Sequence, residues 1–340
     1  MSHPNRDVPA SGPPQQKIRQ VTVLYRALLG RQPDPKALEV HVREDLQTVA
    51  HKILNSQEFR QSGKHQPALS GNGNDIGPVD VERVVYLHIP KCGGTTLHAL
   101  LAAWYGAGTV HPERLNRLNR YSAAAMTPYR VFSGHYDYYS TCLIPGQRRL
   151  VSFLRDPRDR LISLYHFHRA HRPEFVEQQN LVLARWAVRL DIDAYFANET
   201  VRAHLAVNNS IARHFSDVPQ FGHLWNGAPD PRQDDISLMR DQALKNLARF
   251  DFVGFMSDYD ASVARLAELL GKPPVAQIEA KQTLEGLMQD NPNMRRIEKQ
   301  TPSAETLSQM EELVIHDRTV YDAARERFAP GAADPGAGSA

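Results

Sequence analysis

The sequence has little of several things that would fix its class at once. Two cysteines, Cys92 and Cys142, stand in 340 residues. They cannot build a disulfide framework, so nothing marks an oxidising compartment. Neither sign of charge is in excess: 40 lysines and arginines face 38 aspartates and glutamates, a net charge of +2. That balance excludes a chain that holds nucleic acid through bulk charge. No apolar run approaches the roughly 18 residues of a membrane span. The opening MSHPNRDVPASGPPQQ has no apolar core and no small-residue cleavage pattern, unlike a signal peptide. The expectation is a soluble, cytoplasmic protein without a membrane span. With 41% hydrophobic residues, 20 glycines and 23 prolines, the chain has a globular composition, and its length suggests one large or two smaller domains.

Three segments lack periodicity and are expected to be flexible: residues 1–16, a Gly/Asn-punctuated linker over 66–79 (QPALSGNGNDIGPV), and a small-residue tail over 329–340. They bound a small helical piece, 17–65, and a large piece, 80–328. In the small piece Val21, Leu24, Tyr25 and Leu28 recur at helix spacing, and Leu46, Val49, Ala50, Ile53 and Leu54 form a second stripe. The words LYRALLGRQPDP and ILNSQEF resemble a short helical bacterial domain of unknown function that is often appended to surface-polysaccharide enzymes. The piece packs as a helical appendage or binds a protein or glycan partner.

The large piece alternates strand and helix. Strands are expected over 83–89, 129–133, 149–154 and 250–255. Helices are expected from Thr95, from Pro157 behind an Asp156 cap, through Val263, Leu266 and Leu269 up to Gly271, and from Thr301-Pro302 onward. This order predicts an α/β fold, a doubly wound, mostly parallel sheet flanked by helices, with the small helical appendage in front.

The first strand runs into LHIPKCGGTTL, residues 87–97. Gly93 and Gly94 permit a tight turn, Thr95 and Thr96 place hydroxyls at a helix N-terminus, and Lys91 adds a point charge. Together they suit a phosphate or sulfate group, although such a turn can also be purely structural. It is not a Walker A loop, because Lys91 precedes the glycines. The second signal is SFLRDPRDRLISLYHFHR. Between Pro145 and Arg172 the chain has seven arginines, no lysine and two aspartates. Arginine suits bidentate phosphate recognition. Arg155 falls at a strand end and Ser163 on the next helix, at the same sheet edge as Lys91. Arg158 and Arg160 are equally compatible with surface pairs to Asp156 and Asp159.

The pair PKCGGTTL and LRDPRDRLISLY, about 60 residues apart, resembles the two donor-binding signatures of sulfotransferases that use 3′-phosphoadenosine 5′-phosphosulfate. FDFVGFMSDYDASVARLAELLG and IHDRTVYDAARERF resemble later segments, so the likeness spans residues 83–328. It implies the P-loop NTPase-like fold. It further implies that Lys91, Cys92, Gly93, Gly94, Thr95 and Thr96 hold the 5′-phosphosulfate, and that Arg155 and Ser163 hold the 3′-phosphate. The nearest branch contains carbohydrate enzymes such as the uronosyl 2-O-sulfotransferases, from which the chain departs in having no membrane anchor. Cys92 is a small filler in this loop, with no resolving partner for redox chemistry.

Sulfuryl transfer needs a group to take the acceptor proton. His88 is expected within the first strand and His98 on the next helix. His166 and His168 point about 200° apart on a helix, so no metal site is expected there. His135 follows a strand and should emerge beside Lys91. SGHYDYY resembles the Gly-His segment with the catalytic histidine of 2-O-sulfotransferase-like enzymes, whose second histidine, two residues earlier, is here Ser133. His135 is thus a general base or a structural strand-end histidine. Tyr136, Tyr138 and Tyr139 stack on a sugar or pack. The expected activity is sulfuryl transfer to a hydroxyl, on a carbohydrate acceptor, without metal or nucleic acid. The rivals are a nucleotide kinase or NTPase with magnesium on Asp156, and a non-catalytic nucleotide- or anion-binding module.

Overall fold

The computed structural model describes residues 82–220, 234–274 and 284–330, with part of 17–58. Residues 1–16, the 66–79 linker and the tail from 331 lie outside the described residues. The chain divides into two compact units, a small N-terminal one and a larger one that holds the sheet. In the small unit Asp34 caps a helix over Pro35–His41, and Val21, Tyr25, Val42, Val49 and Ile53 are buried together.

In the large unit four strands pair in the order β2-β1-β3-β4, and every pairing is parallel. They are β1 (Arg83–Leu87), β2 (Val131–Gly134), β3 (Arg148–Leu154) and β4 (Phe252–Phe255). The period of two sorts β1 onto both faces. Val84 and Tyr86 join Val151 and Phe153 on one face, under Leu97 and Leu101 of α1 (Gly94–Tyr105) and Val263 and Leu266 of α5 (Tyr259–Leu269). Val85 and Leu87 join Phe132, Leu154 and Phe255 on the other. That face is covered by α3 (Ser210–Phe215), α4 (Ile236–Leu247) and the C-terminal half of α6 (Ala304–Phe328). Each fully buried aliphatic or aromatic side chain is worth about 1.5–3 kcal/mol of transfer free energy, so the strands are fixed from both sides. A further apolar cluster joins α2 (Pro157–Arg169) to Met310, Leu313 and Val314 of α6. The expected doubly wound parallel sheet is therefore the observed architecture.

Several boundaries move for local reasons. β1 ends at Leu87, opposite the last residue of β2, so His88 stands just beyond the strand rather than in it. Tyr129 lies outside β2, and its carbonyl accepts from the buried Arg83 guanidinium at 3.1 Å. The last helix starts after Ser303, whose hydroxyl accepts from Thr306 N at 3.2 Å. Asp156 caps α2 as expected, accepting from the N–H groups of Arg158 and Asp159 at 3.0 and 3.2 Å. Its other partner is Arg318 of α6. Arg158 pairs with Glu311 at 3.0 Å, and Arg160 is fully buried with its guanidinium on the carbonyl of Ala206. Neither arginine therefore makes a surface pair with Asp156 or Asp159, one of the two readings that the sequence leaves open. Tyr136 and Tyr138 are buried and pack in the core. Among the described residues no helix is long and apolar enough to cross a membrane.

α3 is tied to α6 by Asn209 and by Asp317, whose Oδ1 accepts from Ala212 N at 2.8 Å. Asn209 adopts φ +50°, a left-handed conformation that asparagine tolerates better than most residues. Its N–H donates to Leu313 O at 2.8 Å, and its Oδ1 accepts from His316 N at 2.9 Å and Asp317 N at 3.3 Å. The side chain thus enters the hydrogen-bond ladder of α6. Asn209→Ala leaves two N–H groups without this acceptor, which costs about 1–3 kcal/mol. A urea titration should show a lower midpoint with an unchanged slope; an unchanged midpoint contradicts this role.

Candidate active site

Parallel pairing brings the carboxyl ends of all four strands to one edge, where ligands bind in open α/β sheets. His88 follows β1, His135 follows β2, Arg155 follows β3 and Met256 follows β4. Between β1 and α1 the backbone turns sharply: Lys91 has φ +73° and Gly93 φ +72°. For lysine this left-handed conformation is uncommon and costs energy. Gly93 needs its lack of a side chain twice, for its φ and because a Cβ would meet Met256 Sδ at 2.6 Å. Gly93 is the N-cap of α1 and offers no side-chain cap. The N–H groups of Gly94 and Thr95 accordingly face the loop at the positive end of a twelve-residue helix.

Lys91 and Arg155 are the charges of this edge. Lys91 Nζ sits 4.2 Å from the centre of the Phe167 ring on α2. Burial, helped by the Arg155 charge, pushes the Lys91 amine down to about 8. Among the described residues no carboxylate pairs with Lys91 or Arg155. Two cations held near one another in a partly desolvated place favour an anion between them. Thr95 and Ser163 are half-buried, and their hydroxyls have no hydrogen bond among the described residues. Thr96 is buried and bonds Tyr259. Cys92 is fully buried, its thiol pushed up to about 11 by burial. The side chain fills the core beneath the loop.

His135 lies beside this loop. Its Nδ1 is 3.0 Å from the carbonyl of His88. A carbonyl accepts, so Nδ1 carries the proton and Nε2 keeps the lone pair. Burial lowers the proton affinity of His135 below the usual value, and the Arg114 charge adds to this against the raising effect of the His88 carbonyl. The His88 ring stacks on His135 with centroids 4.3 Å apart, and on Tyr86 at 5.4 Å. A cavity of about 320 Å³ opens here, lined by Pro90, Leu115, Asn116, Arg117, His135, Ala206 and His214. The nearby carboxylate, Asp137, is already engaged. It accepts from Asn116 Nδ2 at 2.7 Å, Ser140 N at 2.8 Å and Gln220 N at 2.6 Å. His135, one of the residues lining the cavity, thus keeps its lone pair on Nε2.

His166 and His171 have structural partners: His166 Nε2 accepts from Gln300 N at 3.0 Å, and His171 Nδ1 donates to Phe167 O at 2.9 Å. Ser133 bonds Nδ1 of His98 at 3.0 Å. His214, Asn116 and Arg117 of the cavity, and the packing of Met256, Tyr259 and Phe167 on the loop, are additions from the structure. The nearest sequence signal for His214 is the stretch NNSIARHFSD, which only loosely resembles an Asn/Gln-rich acceptor-side stretch of sulfotransferases and assigns no residue a role.

The histidine pile rests on Gly94, where a Cβ would lie 1.9 Å from His88 Nε2. The His88 ring is held between Tyr86 and His135 and cannot yield without moving both. Gly94→Ala should therefore destabilise by about 1–3 kcal/mol, the cost of overpacking a core. Thermal melting tests this, and an unchanged midpoint contradicts it.

A family model described as the sulfotransferase family matches residues 79–322, more than half of the chain. No curated protein matches it. The family match runs from just before β1, through the loop that carries Lys91 and the ends of β2, β3 and β4, into α6: the chain belongs to the sulfotransferase family.

Proposed function

We propose that the protein moves a sulfuryl group from 3′-phosphoadenosine 5′-phosphosulfate to a hydroxyl of a glycan or glycoconjugate, with His135 as general base. One observation carries this reading. A cationic cradle without a carboxylate partner among the described residues, Lys91 with Arg155, adjoins a cavity that holds an imidazole whose Nε2 has the lone pair. Lys91 and the N–H groups at the start of α1 bind the 5′-phosphosulfate end, and Arg155 with Ser163 binds the 3′-phosphate. The donor supplies the sulfuryl group and leaves as the 3′,5′-bisphosphate. His135 Nε2 takes the proton of the acceptor hydroxyl as its oxygen bonds to sulfur. Lys91 stabilises the charge that develops on the leaving phosphate oxygen as the S–O bond breaks. The kinase reading is weaker because Asp156, its magnesium ligand, is committed to capping α2 and to Arg318.

Isothermal calorimetry tests the donor. Adenosine 3′,5′-bisphosphate should bind at least about tenfold tighter than 5′-AMP, because a charge-assisted hydrogen bond is worth about 1.5–3 kcal/mol. Arg155→Ala should remove that difference; equal affinities for the wild type contradict the assignment. The pH dependence has a defined sign. Lys91 is charged below its depressed value of about 8 and neutral above it. Bisphosphate affinity should therefore fall as pH rises through 8, with proton uptake on binding near that pH, and Lys91→Arg should hold its affinity to higher pH.

A further inference from the structure

The Lys91 amine is held by a ring. Its Nζ lies over Phe167, 4.2 Å from the ring centre, and among the described residues it makes no hydrogen bond and no ion pair. A carboxylate would hold the amine and cancel its charge. The negative face of an aromatic ring holds the charged form and leaves that charge for another anion. The loop also keeps Lys91 in the uncommon left-handed conformation, φ +73°. Such strain persists only where the surroundings over-determine it. Phe167 is itself braced. The His171 ring meets it at 87° with centroids 4.9 Å apart, and His171 Nδ1 donates to the Phe167 carbonyl at 2.9 Å. His171 in turn stacks on Phe175 at 5.8 Å.

Phe167 follows Ser163 by four residues, so the two share one face of α2, about one turn apart. We propose that Phe167 is a positioning residue for sulfuryl transfer: its ring face holds the charged Lys91 amine at the sulfuryl end of the donor, while Ser163, one turn earlier on the same helix face, serves the 3′-phosphate end, so that α2 sets the spacing between the two. This rests on the donor assignment made above. The groups that face Lys91 are Arg155 beyond β3, Cys92 of its own loop, His88 beyond β1, and His168 and His171 at the end of α2. Burial holds the three imidazoles below their usual proton affinity, His168 at about 3, and pushes the Cys92 thiol up to about 11. An arginine keeps its charge throughout. Between about pH 7 and pH 9, Lys91 is therefore the member of this group that changes charge. The ring favours the charged amine, so losing its face lowers the proton affinity of Lys91 further, and the donor site loses its cation at a lower pH.

Calorimetry of adenosine 3′,5′-bisphosphate binding to the full chain, between about pH 6 and pH 9, tests this. Wild-type affinity should fall through a midpoint of about 8. Phe167→Leu keeps apolar bulk without a ring. It should move the midpoint down by about 0.5–1 pH unit, which weakens binding about two- to fivefold at pH 8 and little at pH 6. Phe167→Tyr keeps a ring face and should hold the wild-type midpoint. Phenylalanines that carry one, two or three ring fluorines at position 167 keep the shape of the side chain while they drain electron density from its face. They should move the midpoint down stepwise, and they spare the fold if Phe167→Leu does not. An unmoved midpoint in the fluorine series overturns the proposal. So does a Phe167→Leu variant that loses affinity equally at every pH, as a merely structural role would give, or a Phe167→Tyr variant that behaves like Phe167→Leu. A wild type that binds the bisphosphate with no change of affinity near pH 8 overturns the role of Phe167 and leaves the Arg155 assignment standing. Failure of the wild type to bind the bisphosphate overturns the donor assignment and the proposal with it.

Discussion

The hydrogen bond from His135 Nδ1 to the carbonyl of His88 joins the two halves of the site. The carbonyl belongs to the first residue beyond β1, where the chain enters the Lys91 loop. The imidazole belongs to the first residue beyond β2. Parallel pairing of Leu87 with Gly134 brings them level. The bond fixes the tautomer and leaves the lone pair on Nε2 of a ring that lines the cavity. It also explains the glycine at 94, because the His88 ring that stacks on His135 occupies the space a side chain would need.

Around this joint, charge is left over on the loop, while behind it one buried carboxylate faces two buried arginines. Lys91 and Arg155 stand without a carboxylate among the described residues, and burial lowers the lysine to about 8. Behind them Asp317 lies between Arg160 and Arg213, fully buried, with its carboxyl pushed up to about 6 by burial against the pull of both arginines. Its Oδ1 holds Ala212 of α3. The core charge therefore keeps α3, and with it His214, in place. The edge charge remains available to an anion.

Much of this was legible in the sequence. β-branched runs at 83–89 and 149–154 gave strands because both sheet faces are covered. Asp156-Pro157 marked a helix start because a cap and a fixed φ act locally. Lys91, Gly93, Gly94 and His135 were legible because they sit next to strands, so a strand direction places them. What was not legible depends on contacts distant in sequence. The sequence leaves open whether Arg160 is a surface arginine; the Ala206 carbonyl that holds it lies 46 residues away. Cys92, by contrast, is read from the sequence as a small filler, and its side chain is buried in the core. His214 follows no strand; its place is decided by Asn209 entering the ladder of α6, an event over 100 residues in sequence separation. Periodicity has no access to such a contact.

The central claim is that His135 is the base beside an intact donor cradle. Single-turnover kinetics of His135→Ala with radiolabelled donor and a hydroxyl acceptor that the wild type sulfates, alongside bisphosphate calorimetry and circular dichroism, tests it most directly. The account predicts a rate lower by about 10²–10⁴, the usual worth of a general base, with bisphosphate affinity and fold unchanged. A variant that folds, binds the bisphosphate and transfers at the wild-type rate would contradict it.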